Sequence, residues 1–127
     1  MTMSDTYALE RADLGMIRIY LRRSDRIRKR GWLGLPRSTA LHHHLVIQAK
    51  ADGILNAVSH HAHFGYSNHG KIGADGVEWV DPQLTICVEL VGEPDQLEAF
   101  CLAHGDLLDH KVITYKPLER WRIAGKA

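Results

Sequence analysis

Gln83-Leu-Thr-Ile-Cys-Val-Glu-Leu-Val91 is the stretch on which the architecture turns. Side chains alternate along an extended chain, so Leu84, Ile86, Val88 and Leu90 share one face, and Thr85, Cys87, Glu89 and Val91 share the other. The first face is wholly aliphatic and belongs against a core. Gly92 breaks the run. Pro94 fits the first turn of a helix, with Asp95 and Glu98 near its positive end. Leu97, Phe100, Cys101, Leu107 and Leu108 then follow roughly helical spacing.

Upstream, the same strand-then-helix order occurs once more. Met16–Leu21 alternates, with Ile17, Ile19 and Leu21 on one face and Met16, Arg18 and Tyr20 on the other. Ser38 or Thr39 is placed to cap a helix running to about Asp52, on which Leu41, Leu45 and Ala49 recur every fourth residue, and Gly53 is placed to stop it. Ile54–Phe64 reads as a second strand and Val112–Tyr115 as a fourth. Pro117 limits the segment after it, with Leu118–Ile123 as a further short strand. The order β-α-β-β-α-β predicts an α+β, ferredoxin-like fold: a four-stranded antiparallel sheet with two helices on one face. The domain is expected over 16–123, between a flexible leader at 1–15 and a tail at 124–127. The helix-free face carries Arg18, Tyr20, Thr85, Cys87 and Glu89. Such a face either meets water or packs on another subunit. Its mixture of apolar and polar residues favours the subunit, with Arg18 and Glu89 left to pair.

Composition narrows the function classes. The 127 residues carry 16 Lys+Arg against 15 Asp+Glu, a net charge of +1. That balance gives no reason to expect nucleic acid, whose binding is driven by phosphate neutralisation. No apolar run approaches the roughly 18 residues of a membrane span, so no transmembrane segment is expected. Two cysteines, Cys87 and Cys101, make no disulfide framework and suit a cytoplasmic protein with reduced thiols. The near-neutral total hides an asymmetry. Residues 1–37 hold nine Lys/Arg and four Asp/Glu, and the remainder seven and eleven. Most of that basic excess lies in a connector, 22–37, where Trp32 and Leu33 follow the charge run. It reads either as a solvated face or as a segment that docks on an acidic partner or on membrane phosphates.

Two constellations carry possible chemistry. The first is among nine histidines. His42, His43 and His44 point about 100° apart on a helix and cannot chelate one ion together. His61 and His63 share a strand face, and His69 in the next loop is a candidate third ligand for zinc, copper or nickel; stacking and hydrogen bonding are the plainer reading. The second joins the glycine-rich segment Gly65–Gly76, which carries Lys71, to Lys111, Arg120 and Arg122. Glycine permits backbone turns that cradle anions, and arginine grips phosphate with two bonds. A polyphosphate site is set here against an ordinary loop with solvated charges. No Gly-x-Ser-x-Gly elbow or paired carboxylate site occurs, so no enzyme is expected.

The segment His110-Lys111-Val-Ile-Thr-Tyr-Lys-Pro117-Leu-Glu-Arg120-Trp-Arg122-Ile-Ala-Gly resembles the ending of PII-like proteins. The central part, Gly53-Ile-Leu-Asn-Ala, Phe64-Gly65-Tyr66, Leu84–Gly92 and Pro94–Phe100, is similar to the DUF190 branch, which also opens with a strand like Ile17–Leu21. The likeness runs from about Met16 to Ile123. It implies a trimeric PII-like assembly, a homotrimer binding an adenine nucleotide (ADP, ATP or AMP) in clefts between subunits. Gly65 would start the loop at the cleft, with Lys71 on that loop, Lys111 would meet phosphate, and Arg120 and Arg122 would close it. Loop 65–81 would then control a transporter or enzyme, with bicarbonate as a possible second effector. The chain departs from the standard nitrogen sensors: Leu108-Asp109-His110 stands where a Gly-Asp-Gly turn is usual, His61 where Arg is frequent, and the connector 22–37 resembles an insertion.

Overall fold

The aliphatic stripe of the quoted strand is buried by two helices. A computed structural model describes residues 6–30, 36–76 and 81–126. The strands are β1 (Tyr7–Arg22), β2 (Arg26–Arg30), β3 (Pro36–Ala40), β4 (Asn56–His61), β5 (Phe64–Gly65), β6 (Gly73–Ala74), β7 (Thr85–Gly92) and β8 (Val112–Gly125). The helices are α1 (Leu41–Ala51), α2 (Pro94–Ala103) and the short α3 (Gly105–Leu108). The main sheet has the order β4-β7-β1-β8 and is antiparallel throughout. With both helical layers, this is the ferredoxin-like fold. Ile17, Ile19 and Leu21 of β1 and Ile86, Val88 and Leu90 of β7 meet Leu41, Leu45 and Ala49 of α1 and Leu97 and Phe100 of α2. Ile19, Leu45, Val88 and Leu90 are fully buried.

Helix termini follow the sequence in two places and depart from it in one. Gly53 takes φ +78°. Its N–H reaches Lys50 O at 3.1 Å, and the Ile54 N–H reaches Ala49 O at 3.0 Å, the paired bonds of a Schellman ending. Pro94 opens α2 as expected. Ser38 and Thr39, however, lie in β3 and cap nothing; α1 begins at Leu41 behind Ala40, without a side-chain cap. Asp25 O accepts the Leu41 N–H at 2.9 Å instead, so a distant carbonyl satisfies one of the orphan donors.

Four further expectations change. Residues 7–15, expected in a leader, form the first half of β1 and pair with β8 from Gly125 to Pro117. β7 joins β1 only from Gly15 onward, so 7–14 and 118–125 make a two-stranded arm. The leader's residues 1–5 lie outside the described residues. The tail is shorter than expected, because Ala124 and Gly125 belong to β8. The two C-terminal strands are one, continuous through Pro117, since β8 is an edge strand, where a sheet tolerates a missing N–H. The connector 22–37 contributes β2 and the start of β3, a separate antiparallel ribbon; Trp32 and Leu33 lie outside the described residues. The second strand is confined to β4, and the glycine-rich loop carries the small β5–β6 ladder.

On the helix-free face Arg18 lies opposite Glu89. Arg18 Nε is 3.4 Å from Glu89 Oε2, and His60 Nε2 is 3.7 Å from the same oxygen. The hydrogen bond to Glu89 is the main cause that raises the guanidinium's pKa.

Candidate anion-binding cleft

At one end of the sheet the backbone turns left-handed three times. Asn68, His69 and His110 have φ of 52°, 57° and 63°, a region that Asn and His enter more readily than most residues. Asn68 Nδ2 donates to His110 O at 2.7 Å, which ties the loop after β5 to the turn before β8. Lys111 leaves that turn with its N–H bonded to Leu108 O at 3.0 Å. A second turn, Arg22–Asp25, faces it from the end of β1. It is held by Arg23 N–H to Leu84 O at 2.9 Å and Ser24 N–H to Pro82 O at 3.0 Å.

Between them lies a cavity of about 280 Å³, lined by Tyr20, Leu21, Arg22, Asp25, Ser67, Asn68, Gly70, Asp109, His110 and Lys111. Lys111 Nζ donates to Asp25 Oδ2 at 2.8 Å, and the side chains are 22% and 12% exposed. Burial alone would raise the Asp25 carboxyl. The hydrogen bonds from Lys111 and from the Arg22 N–H, with the charges of both cations, outweigh it and bring the carboxyl below its ordinary value. Asp25 was not legible as a partner of Lys111, because 86 residues separate them. Asn68 and His110 were missed for the same reason.

The other expected residues are distributed along the molecule. Gly65 lies in β5 opposite Gly73, with φ +155°, a value that favours glycine. Lys71 is exposed on the loop beside the cavity-lining Gly70. The loop is folded down: Asp81 Oδ2 accepts the Ala74 N–H at 2.9 Å, and a Cβ on Gly73 would come within 2.6 Å of the Gln83 backbone. Arg120 and Arg122 stand on the arm, opposite Ala12 and Glu10. Arg122 Nε is 3.6 Å from Glu10 Oε2. At the rise of a β-strand they lie about 30 Å along the chain from Lys111. The structure thus unites Lys111 with the loop and separates both from Arg120 and Arg122.

The histidines make pairs. The His61 and His63 rings are 6.2 Å apart, and His63 Nδ1 lies 3.2 Å from Asp75 Oδ2. His69 belongs to the left-handed loop. Among the described residues, no three or more His, Cys, Asp or Glu side chains are grouped to hold a metal ion. His42 Nδ1 is 3.1 Å from Ser59 Oγ on β4. Burial raises the pKa of both Cys87 and Cys101, keeping the thiols protonated.

Comparison with known proteins gives a family and a fold. The model of the DUF190 family, described as "Uncharacterized ACR", matches residues 14–120. Among solved structures, CPII of Thiomonas intermedia K12 bound to ADP and bicarbonate is 12% identical with a TM-score of 0.59, over 91% of this chain and 95% of that one. The same protein, a nitrogen regulatory PII-like protein, bound to ADP, AMP and bicarbonate is 9% identical with a TM-score of 0.62, over 91% and 94%. A PII-like signaling protein from Thermus thermophilus is 15% identical with a TM-score of 0.53, over 89% and 92%. At these identities the likeness is one of fold. No curated protein matches the chain.

Proposed function

The chain belongs to the DUF190 family, with the fold of PII-like proteins, and from that premise we propose that it is a regulatory protein binding an adenine nucleotide between the subunits of a homotrimer. The observation that carries this reading is the separation within one chain. Lys111 and the loop base at Gly65–Lys71 stand at one end of the sheet, and Arg120 and Arg122 stand on the arm at the other. One phosphate chain is far shorter than the roughly 30 Å between them. If these cations serve one ligand, two copies must supply them. Lys111 and the loop come from one subunit, and Arg120 and Arg122 from its neighbour.

In this reading the nucleotide selects one arrangement of loop 65–81, and that arrangement sets affinity for a transporter or enzyme in the cytoplasm. The structural neighbour bound to both ADP and bicarbonate supports bicarbonate as the second effector. No bond is made or broken in such a mechanism, and the loop's conformational preference transmits the signal. Calorimetric titration with ADP, ATP and AMP tests it. Saturable binding of at least one is expected, weakened about tenfold or more in Lys111→Ala and Arg122→Ala, which lose charge-assisted bonds. Absence of binding by all three at millimolar concentration would overturn the proposal.

A further inference from the structure

Lys111 already holds an anion supplied by its own chain. Its ammonium lies 2.8 Å from Asp25 Oδ2. The same oxygen accepts the Arg22 N–H at 2.9 Å, and Oδ1 is 3.5 Å from the Arg22 guanidinium. The carboxylate therefore sits among three donors, two of them cationic, as a phosphate oxygen would. All three residues line the one cavity, so carboxylate and phosphate compete for the same ammonium.

We propose that Asp25 is the affinity-setting residue of this cleft: an internal carboxylate that an incoming phosphate must displace from Lys111. The inference rests on the reading that Lys111 meets phosphate. The backbone allows the exchange to be a side-chain swing. Asp25 N–H is bonded to Arg22 O at 3.0 Å and Asp25 O to the Leu41 N–H at 2.9 Å, and neither bond involves the carboxylate. Released from Lys111, the carboxylate stays beside the Arg22 guanidinium, and its charge continues to oppose the bound anion. The cleft thus discriminates by charge density. A group carrying one negative charge gains little over the resident carboxylate, whereas a di- or triphosphate chain outbids it at Lys111.

The test is calorimetric titration of inorganic pyrophosphate and of ADP, without divalent cation, into the wild-type chain and Asp25→Asn. Asparagine keeps an oxygen for the Arg22 N–H and removes the charge. Asp25→Asn is expected to bind both probes about tenfold more tightly. A merely structural role predicts the opposite sign, since damage to the turn weakens binding. Affinity equal to or weaker than wild type, with ADP still bound by the wild type, overturns the inference and leaves the nucleotide reading standing. No binding of either probe to either chain at millimolar concentration overturns both. Should circular dichroism show Asp25→Asn unfolded, Asp25→Ser carries the same comparison, and tighter or weaker binding decides it in the same way.

Discussion

Asp25 and Lys111 show how much one contact organises. The pair joins the turn after β1 to the start of β8, and Asp25's carbonyl also anchors the first N–H of α1. Replacing Lys111 by alanine leaves a largely buried carboxylate without its ammonium. A loss of about 1–3 kcal/mol in urea unfolding at neutral pH is expected. The pH dependence has a definite sign. The Asp25 carboxyl is depressed in the folded chain from its ordinary 3.8. Its contribution is present above about pH 4 and is lost as pH falls through the lower folded value. In Lys111→Ala that depression shrinks, so the acid loss attributable to Asp25 should begin at higher pH. An acid limb identical in both chains would rule the coupling out.

At the scale of elements, the loop between β4 and β7 is a folded piece with its own fastenings. β5 and β6 pair, Asp75 N–H bonds to His63 O at 2.6 Å, and Asp81 caps Ala74 and Gln83. Gly73 is the tightest point, since a Cβ there would stand 2.6 Å from Leu84 N and 2.7 Å from Gln83 O. Both are backbone atoms and cannot rotate away. Gly73→Ala should cost about 1–3 kcal/mol and, more specifically, should speed amide exchange over 64–75 while leaving α1 and β7 protected. Uniform loss of protection across the chain would contradict this local fastening. The glycine pattern was legible as a loop. The close approach of Gly73 was not, because it is made to residues ten positions away whose path the local sequence leaves open.

For the whole molecule, the long β1–β8 arm decides what a single chain lacks. It carries Arg120 and Arg122 away from Lys111, and it exposes Trp121 and Ile123 at 61% and 65%. The Arg11 guanidinium lies 5.2 Å from the Trp121 ring centre. If clefts form between subunits, damage on the two sides must be complementary. Lys111→Ala and Arg122→Ala chains, each deficient alone, should regain nucleotide binding when unfolded together and refolded as a one-to-one mixture. Random assembly leaves about a quarter of the clefts with both residues intact. Recovery of no sites, with each variant assembled as a trimer, would place both residues' work within one chain.

The sequence by itself determined what depends on near neighbours. The aliphatic faces of β1 and β7 follow from alternation. The stop at Gly53 follows from left-handed backbone, and the start at Pro94 from a fixed φ and a dispensable N–H. Together these determined the element order and hence the fold. Only the tertiary structure decided that residues 7–14 form a strand, that β8 runs unbroken through Pro117, and that Lys111 is bound to Asp25. Each depends on a partner far away in sequence: Tyr7 pairs with Gly125, and Lys111 reaches Asp25 across 86 residues. Sheet register and charge pairing are settled when distant segments meet, and no local pattern encodes which segments those will be.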